Sequence, residues 1–420
     1  MDLQVSALGA IVALVIAIIL ILKKVSPAYG MMIGAFVGGL IGGANLVETV
    51  DLMMAGAQGI ITSVLRILAA GILAGVMIES GAANIIAETI VDKIGERRAL
   101  LALALATMIL TMVGVFIDVA VITVAPIALA IAKRANLSRM GILIAMIGGG
   151  KAGNIMSPNP NAIAASDAFD LPLTSVMLAG VIPAIFGVIV TYFIANKLAN
   201  KGTMITDADI EKTNNDQLPG FFPAISGPLV AILLLALRPL FDITIDPMIA
   251  LPIGGAVGAL VMKKGKQLNE YAISGLGKMT GVAIMLLGTG TLAGIIQNSA
   301  LADLLTSTLN AIGLPAFALA PVAGIFMSAA TASTTAGTAV ASNIFSSTLL
   351  SSGVSPLSSA AMIHAGATVL DHLPHGSFFH ATGGSVQMDM KERLKLIPYE
   401  SLVGLVLTII STLIFGIFNF

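Results

Sequence analysis

The chain has 420 residues, of which 57% are hydrophobic and 10% are charged, and its formal net charge is -1. Soluble domains carry roughly 25% charged residues, so this composition excludes an ordinary soluble core and predicts an integral membrane protein. The near-neutral charge gives no indication of nucleic-acid binding, and the absence of cysteine excludes disulfides and thiolate chemistry.

The first half of the chain alternates apolar runs with short charged loops. The run at residues 7–22 has no basic segment before it and no small-residue cleavage site after it, which predicts a retained first span. Lys23 and Lys24 follow this run, whereas Glu48 and Asp51 occupy the next connection. Because cytoplasmic loops are enriched in Lys and Arg, the pattern places the amino terminus outside a cell membrane of the bacterial inner-membrane type.

A polar linker divides the chain into two related units. The triplet Leu-Ala-Gly at positions 73–75 recurs at positions 292–294, and equivalent loops of the two units carry opposite charge. We therefore predict a first inverted repeat at residues 1–196, a cytoplasmic linker at 197–219 and a second inverted repeat at 220–420. The expected fold class is an all-α polytopic membrane transporter with two inverted-topology repeats and interrupted or re-entrant helices.

Each half contains a segment that is not expected to form one continuous helix. Residues 148–161 combine a glycine series with two prolines, and residues 371–377 contain a Pro-His-Gly turn. Weaker segments lie at residues 114–126 and 328–343. A helix break at membrane depth is tolerated only where protein or a water-filled cavity satisfies the freed backbone groups. The paired breaks therefore predict a transporter binding site between the two halves.

The side chains around the breaks suit the binding of an anion. Backbone amides at helix amino termini attract negative charge, and neighbouring Ser, Thr and Asn side chains add donors. The candidate substrate-binding residues are Asn154, Ser157, Asn159, Asn161, Thr334, Thr335, Thr338 and Ser377. The alternative is that these small polar residues only pack one helix against another.

Ionisable residues within apolar segments are costly and therefore mark functional positions. Asp371, His372 and His375 form the densest titratable cluster, and a carboxylate beside imidazoles favours proton coupling. Asp118 is a further candidate for proton coupling, the alternative being an ordinary loop carboxylate. Lys151, in the glycine-rich break, would balance a substrate carboxylate or pair with an acid, the alternative being a lysine that reaches the lipid headgroups.

Three segments resemble the gluconate permease family. Residues 153–164, which read GNIMSPNPNAIA, are similar to the proline-rich broken segment of that family, and residues 331–341 and 370–376 are similar to two later segments. The resemblance implies proton symport of gluconate or related sugar acids and hydroxy acids. It also implies a homodimer in which a fixed scaffold carries a moving transport domain with re-entrant hairpins. Ser157 to Pro160 and Gly376 depart from the gluconate-type pattern, which leaves the particular acid open.

The sequence thus predicts a proton-coupled symporter for a small hydroxylated carboxylate, working by alternating access in membrane lipid, without a cofactor, a metal or enzymatic activity. Sodium coupling is the first alternative, with Ser333, Thr334 and Asn343 as ligands. A membrane metalloenzyme using Asp371, His372 and His375 is the second alternative. It is disfavoured because the proline at position 374 prevents the regular helical face of such a site.

Overall fold

The computed structural model describes residues 5–206, 218–241, 243–311, 313, 315–374 and 376–418, most of which are helical. Through residue 206 the α-helices are α1 (Ala7–Leu22), α2 (Pro27–Ile41), α3 (Leu46–Gly59), α4 (Ile61–Glu79), α5 (Ala82–Ile94), α6 (Ala99–Met112), α7 (Ile117–Ala135), α8 (Arg139–Asn154), α9 (Pro160–Ala168), α10 (Leu173–Ala179) and α11 (Val181–Leu198). Much of the predicted linker, residues 207–217, lies outside the described residues.

After the linker the helices follow in a corresponding order. They are α12 (Phe221–Phe241), α13 (Pro247–Val261), α14 (Leu268–Gln297), α15 (Leu301–Ala311), α16 (Leu319–Thr331), α17 (Thr334–Ser351), α18 (Pro356–Gly366), α19 (Ser377–Ser385) and α20 (Met390–Thr412). Helix α5 begins at residue 82 and α15 at residue 301, whereas α10 begins at residue 173 and α20 at residue 390. This correspondence supports the proposed duplication, and the inversion of one copy relative to the other stays a prediction.

The apolar character of the helices agrees with a membrane location. Within the described residues, four helical stretches are long and apolar enough to cross a membrane, namely Ile61–Glu79, Leu173–Leu198, Gly265–Gln297 and Met390–Ile417. Large apolar side chains such as Leu8, Phe193 and Phe222 are exposed on the outer surface of the bundle. Such a surface is unfavourable in water and favourable in lipid, so the prediction of a polytopic helical membrane protein is confirmed.

The helices pack in two groups. The first group consists of α1 to α4 together with α12 to α14, and the second is built around α6 to α9, α11 and α16 to α20. The groups meet mainly where α14 packs against α17 and where α4 packs against α9. Residues that line this junction can therefore separate if one group moves relative to the other.

Two helix pairs of the second group reverse direction at short turns. Helices α6 and α7 are joined by residues 113–116, and their other ends meet where Arg134 Nε lies 3.0 Å from Glu96 Oε1. Helices α16 and α17 are joined at Ala332 and Ser333, and Ala332 has a φ of +46° in the left-handed region. Pro126, within the predicted weak segment, lies inside α7 without ending it. The α6–α7 pair therefore enters and leaves at one end, as a re-entrant hairpin does.

Two further helices are interrupted at the predicted segments. Helix α8 ends at residue 154 and α9 begins at residue 160, while α18 ends at residue 366 and α19 begins at residue 377. One detail of the prediction was wrong, because the glycine series and Lys151 are helical and lie within α8. The glycines serve close packing instead: a Cβ on Gly149 would lie 2.0 Å from the carbonyl oxygen of Ala104 in α6.

Candidate substrate cavity

A cavity of about 410 Å³, called here the central cavity, lies where the two hairpin turns meet the two helix breaks. The first turns of α7, α9, α17 and α19 all contribute to its lining. Asn154, at the end of α8, and Asp371, in the second break, also line it, as do Lys278 and Val282 of α14. The central cavity is therefore shared between the two helix groups.

Four helix amino termini face the central cavity, and two of them carry side-chain caps. Asn159 Oδ1 accepts from the backbone N–H groups of Asn161 and Ala162 at the start of α9, and Ser333 Oγ accepts from the N–H of Ala336 at the start of α17. The first turn of α19 has no side-chain cap, since Gly376 precedes it. Free backbone donors and aligned peptide dipoles at such termini favour a bound anion.

Gly376 also determines how closely the second break approaches the α16–α17 hairpin. A Cβ at this position would lie 2.6 Å from both the Cβ and the carbonyl oxygen of Ala332. Any larger residue would separate the start of α19 from the hairpin turn. The close approach of Ala332 thus explains why position 376 is occupied by glycine in this chain.

Polar side chains of the cavity lining link the two halves of the chain. Thr335 Oγ1 donates to Asn161 Oδ1 at 2.6 Å, so α17 and α9 are joined across the cavity. Asn159 Nδ2 donates to Asn154 Oδ1 at 2.5 Å, whereas Asn154 Nδ2 is buried and has no hydrogen-bond partner among the described residues. A buried amide without a partner needs one, and a ligand in the cavity can supply it.

Lys151 lies behind the central cavity and pairs with the second break. Its ammonium donates to the carbonyl oxygen of Thr368 and to Asp371 Oδ1, both at 2.5 Å, and lies 3.0 Å from His372 Nδ1. The other carboxylate oxygen of Asp371 accepts from Thr334 Oγ1. The ammonium therefore has two oxygen acceptors, one of them a carboxylate, and its side chain is fully buried. Of the two predicted roles, Lys151 takes that of a partner to an acid.

His372 continues this network towards α20. Its Nε2 lies 3.0 Å from the carbonyl oxygen of Ile397, and its Nδ1 lies 2.9 Å from Asp371 Oδ1 and 3.0 Å from the ammonium of Lys151. Glu400 Oε2 lies 3.9 Å from His372 Nδ1, and Glu400 is itself paired with the buried Arg393. The cluster predicted around Asp371 is thus a compact, buried network in which each cation faces a carboxylate.

Asp118 occupies a different environment in the central cavity. It lies in the first turn of α7, and its Oδ1 accepts from the backbone N–H of Val119 at 2.9 Å. No Lys, Arg or His among the described residues forms an ion pair with it. Lys278, on the opposite wall, donates instead to Glu79 Oε1 at 2.9 Å.

Several predicted residues lie elsewhere. Ser157 and Thr338 are fully buried outside the cavity lining, and their hydroxyl groups have no hydrogen-bond partner. His375 falls outside the described residues. Of the predicted sodium ligands, Ser333 and Thr334 line the central cavity, whereas Asn343 lies further along α17 in a second cavity. Across the described part of the chain, no group of three or more His, Asp or Glu residues is arranged to hold a metal ion.

The second cavity, called here the Arg66 cavity, has a volume of about 540 Å³ and was not predicted. Arg66 of α4 donates to Asp167 at the end of α9 and, through Nε and Nη2, to Asp246, which caps α13. Arg66 and Lys278 are isolated basic residues within long apolar helices. Ionisable residues in apolar segments are costly and mark functional positions. Applying this rule to α4 and α14 would have made Arg66 and Lys278 candidate functional residues.

Interrupted helices, re-entrant hairpins and a polar cavity at the junction of two helix groups define a helical membrane transporter. The model of the GntP family permeases matches residues 2–418. The chain therefore belongs to this family, and the expectation of a transporter and not an enzyme is confirmed.

Similar proteins agree with this assignment. The chain is 71% identical to an uncharacterized transporter of Haemophilus influenzae over 99% of each chain. It is 23% identical to a high-affinity gluconate transporter of Escherichia coli, over 93% of this chain and 95% of the other. Its fold resembles the crystal structure of the Alcanivorax borkumensis YdaH transporter, with a TM-score of 0.65 at 15% identity, covering 88% and 87% of the two chains.

Proposed function

We propose that the protein is a secondary active transporter that carries a small hydroxylated carboxylate together with protons. The observation that carries this proposal is the convergence of four helix amino termini on one cavity. The first turn of α19, which has no side-chain cap, offers backbone N–H groups that suit a carboxylate, and Asn154 Nδ2 offers a further donor. The hydroxyl groups of Thr334, Thr335 and Ser377 suit a substrate that also carries hydroxyl groups.

The size of the central cavity supports a small substrate. A volume of about 410 Å³ lies at the lower end of the range for ligand pockets, roughly 300–1,000 Å³. A sugar acid or a short hydroxy acid fits within such a space. The name of the gluconate transporter relative agrees with this class of substrate.

Alternating access is proposed from the position of the two cavities. Both lie at the junction of the helix groups, and both are lined by α9, α14 and α17. Movement of the second group along the first would expose the substrate to one side and then to the other. We further propose an inner-membrane location, an outer amino terminus, a cytoplasmic linker and a homodimer.

Uptake into proteoliposomes tests this function. Purified protein is reconstituted, and radiolabelled gluconate, glycerate, lactate, hydroxybutyrate and citrate are offered in turn under an inward proton gradient. We expect one or more hydroxylated acids to accumulate above the external concentration and a protonophore to abolish the accumulation. Accumulation that requires a sodium gradient at fixed pH would instead favour sodium coupling. If every acid only equilibrates, symport is excluded for these substrates.

A further inference from the structure

The central cavity brings together a site suited to an anion and a carboxylate without a cation partner. Asp118 lies in the first turn of α7, on the same lining as Asn154 and the hydroxyl groups of α17. A substrate carboxylate bound there would lie in one cavity of about 410 Å³ with the Asp118 carboxylate. Two negative charges in a confined space of low dielectric repel each other strongly.

We propose that Asp118 takes up the proton that is transported with the substrate, an inference that rests on the proposed function. A hydronium ion transfers its proton to a carboxylate oxygen of Asp118: one O–H bond of the hydronium breaks, a new O–H bond forms on the carboxyl group, and the products are water and a neutral Asp118. The neutral group no longer repels the substrate anion and instead gains an O–H donor. When the cavity opens to the other side, the substrate departs and the proton leaves from the same oxygen.

Asp371 is less suited to this role because its charge is already compensated. It accepts from Lys151 at 2.5 Å and from Thr334, so both carboxylate oxygens are occupied. Protonation of Asp371 would leave the buried Lys151 ammonium without its counter-charge, a costly arrangement. His372 belongs to the same compensated network, since its Nδ1 faces Lys151 and its Nε2 faces the carbonyl oxygen of Ile397.

The other charged groups around Asp118 have partners or lie off the cavity. Lys278, which lines the cavity, is paired with Glu79. Helix α6 carries no ionisable residue, and His380 of α19 bonds the carbonyl oxygen of Pro374 through its Nε2. Seven further groups on the elements packed against α7 do not line the cavity: Arg139 at the far end of α8, and Glu88, Asp92, Lys93, Glu96, Arg97 and Arg98.

The test compares Asp118→Asn with two matched variants in proteoliposomes that contain the acid accumulated by the unaltered protein. Asparagine keeps the bond to the Val119 N–H and removes the titratable group. We expect Asp118→Asn to lose proton-driven accumulation by at least about tenfold while it still exchanges internal for external substrate. Asp118→Glu should retain accumulation in part. Asp303→Asn, which removes an exposed carboxylate of α15 outside both cavities, should retain it fully.

Two results would overturn the assignment. The first is accumulation by Asp118→Asn to the level of the unaltered protein under the same gradient. The second is accumulation of a zwitterionic amino acid by the unaltered protein without proton movement, because Asp118 would then bind the substrate ammonium group. Failure of the unaltered protein to accumulate any acid under a proton gradient would contradict the proposed function itself, independently of Asp118.

Discussion

The two cavities at the junction of the helix groups differ in how their charges are satisfied. In the Arg66 cavity, the guanidinium is shared between Asp167 and Asp246, so the principal cation has its anions, and Asp167 Oδ2 alone of these carboxylate oxygens is buried without a hydrogen-bond partner among the described residues. In the central cavity, Asn154 Nδ2 lacks a hydrogen-bond partner and the Asp118 carboxylate lacks a cation partner among the described residues. A cation paired with acids on neighbouring helices stabilises one arrangement of those helices, whereas an amide without a partner and a carboxylate without a cation are available to a ligand. We therefore propose substrate binding at the central cavity and a contact that closes the cavity at Arg66.

The largest expected effect comes from removing the cation behind the central cavity. Lys151→Met leaves the buried Asp371 without an ammonium partner, which costs about 3–5 kcal/mol for a buried pair. We expect a lower unfolding temperature and a lower yield of the purified protein in detergent. The double variant Lys151→Met with Asp371→Asn removes both charges and should recover much of this loss. Equal instability of the single and double variants would show that the pair is not the cause.

A smaller effect, on the KM for uptake, is expected from removing the side-chain amide of Asn154 in the central cavity. Asn154→Ala removes the unpartnered amide, while Asn159 keeps its 2.8 Å bond to the backbone oxygen of residue 154. Loss of one hydrogen bond to an anion, at about 1.5 kcal/mol, corresponds to a roughly tenfold higher KM for uptake. Ser157→Ala, a buried change outside the cavity lining, is the matched control and should alter KM less than twofold. Similar KM values for both variants would show that Asn154 does not contact the substrate.

The smallest expected effect is a change in thiol reactivity at the Arg66 cavity when the contact between Arg66 and Asp167 is weakened. Because the chain contains no cysteine, Ser346→Cys places a single thiol on the lining of this cavity. Adding Asp167→Asn weakens the contact between α4 and α9, and we expect the thiol to react about two- to fivefold faster with a membrane-impermeant maleimide. Ser307→Cys, which places an exposed thiol on α15, should react at the same rate with and without the Asp167→Asn substitution. An unchanged rate at position 346 would mean that the Arg66 contact does not close the cavity.

The fold was largely predictable from the sequence because its causes are local. Pro158 lies between α8 and α9, and Pro160 is the first residue of α9, where the fixed φ of proline suits a helix start whatever its neighbours are. The glycine series in α8 was misjudged because glycine has two uses. It weakens an isolated helix, but here it lets α6 approach α8, and that need arises only from the tertiary packing.

The candidate site was only partly predictable. Asp118 was predicted as an ionisable residue beside an apolar run, and Asn161, Thr334 and Ser377 were predicted as polar residues at helix starts in the interrupted segments. All four line the central cavity, and their roles stay predictions. Which hydroxyl group faces the cavity depends on the path of the turn and the rotation of the helix. The sequence alone therefore could not show that Thr335 lines the cavity and that Ser157 and Thr338 do not. The pairing of Lys151 with Asp371, which lie 220 residues apart, required the packed structure.

The ion pair behind the central cavity also has a consequence for the history of the molecule. Lys151 and Thr368 lie 217 residues apart, as do Asn154 and Asp371, so each charged residue has a neutral counterpart in the other half. A single ancestral unit pairing with its own copy would place two such bases or two such acids near the junction. On the predicted duplication, the complementary charges mean that the two halves have diverged and that each supplies the partner of the other's buried charge.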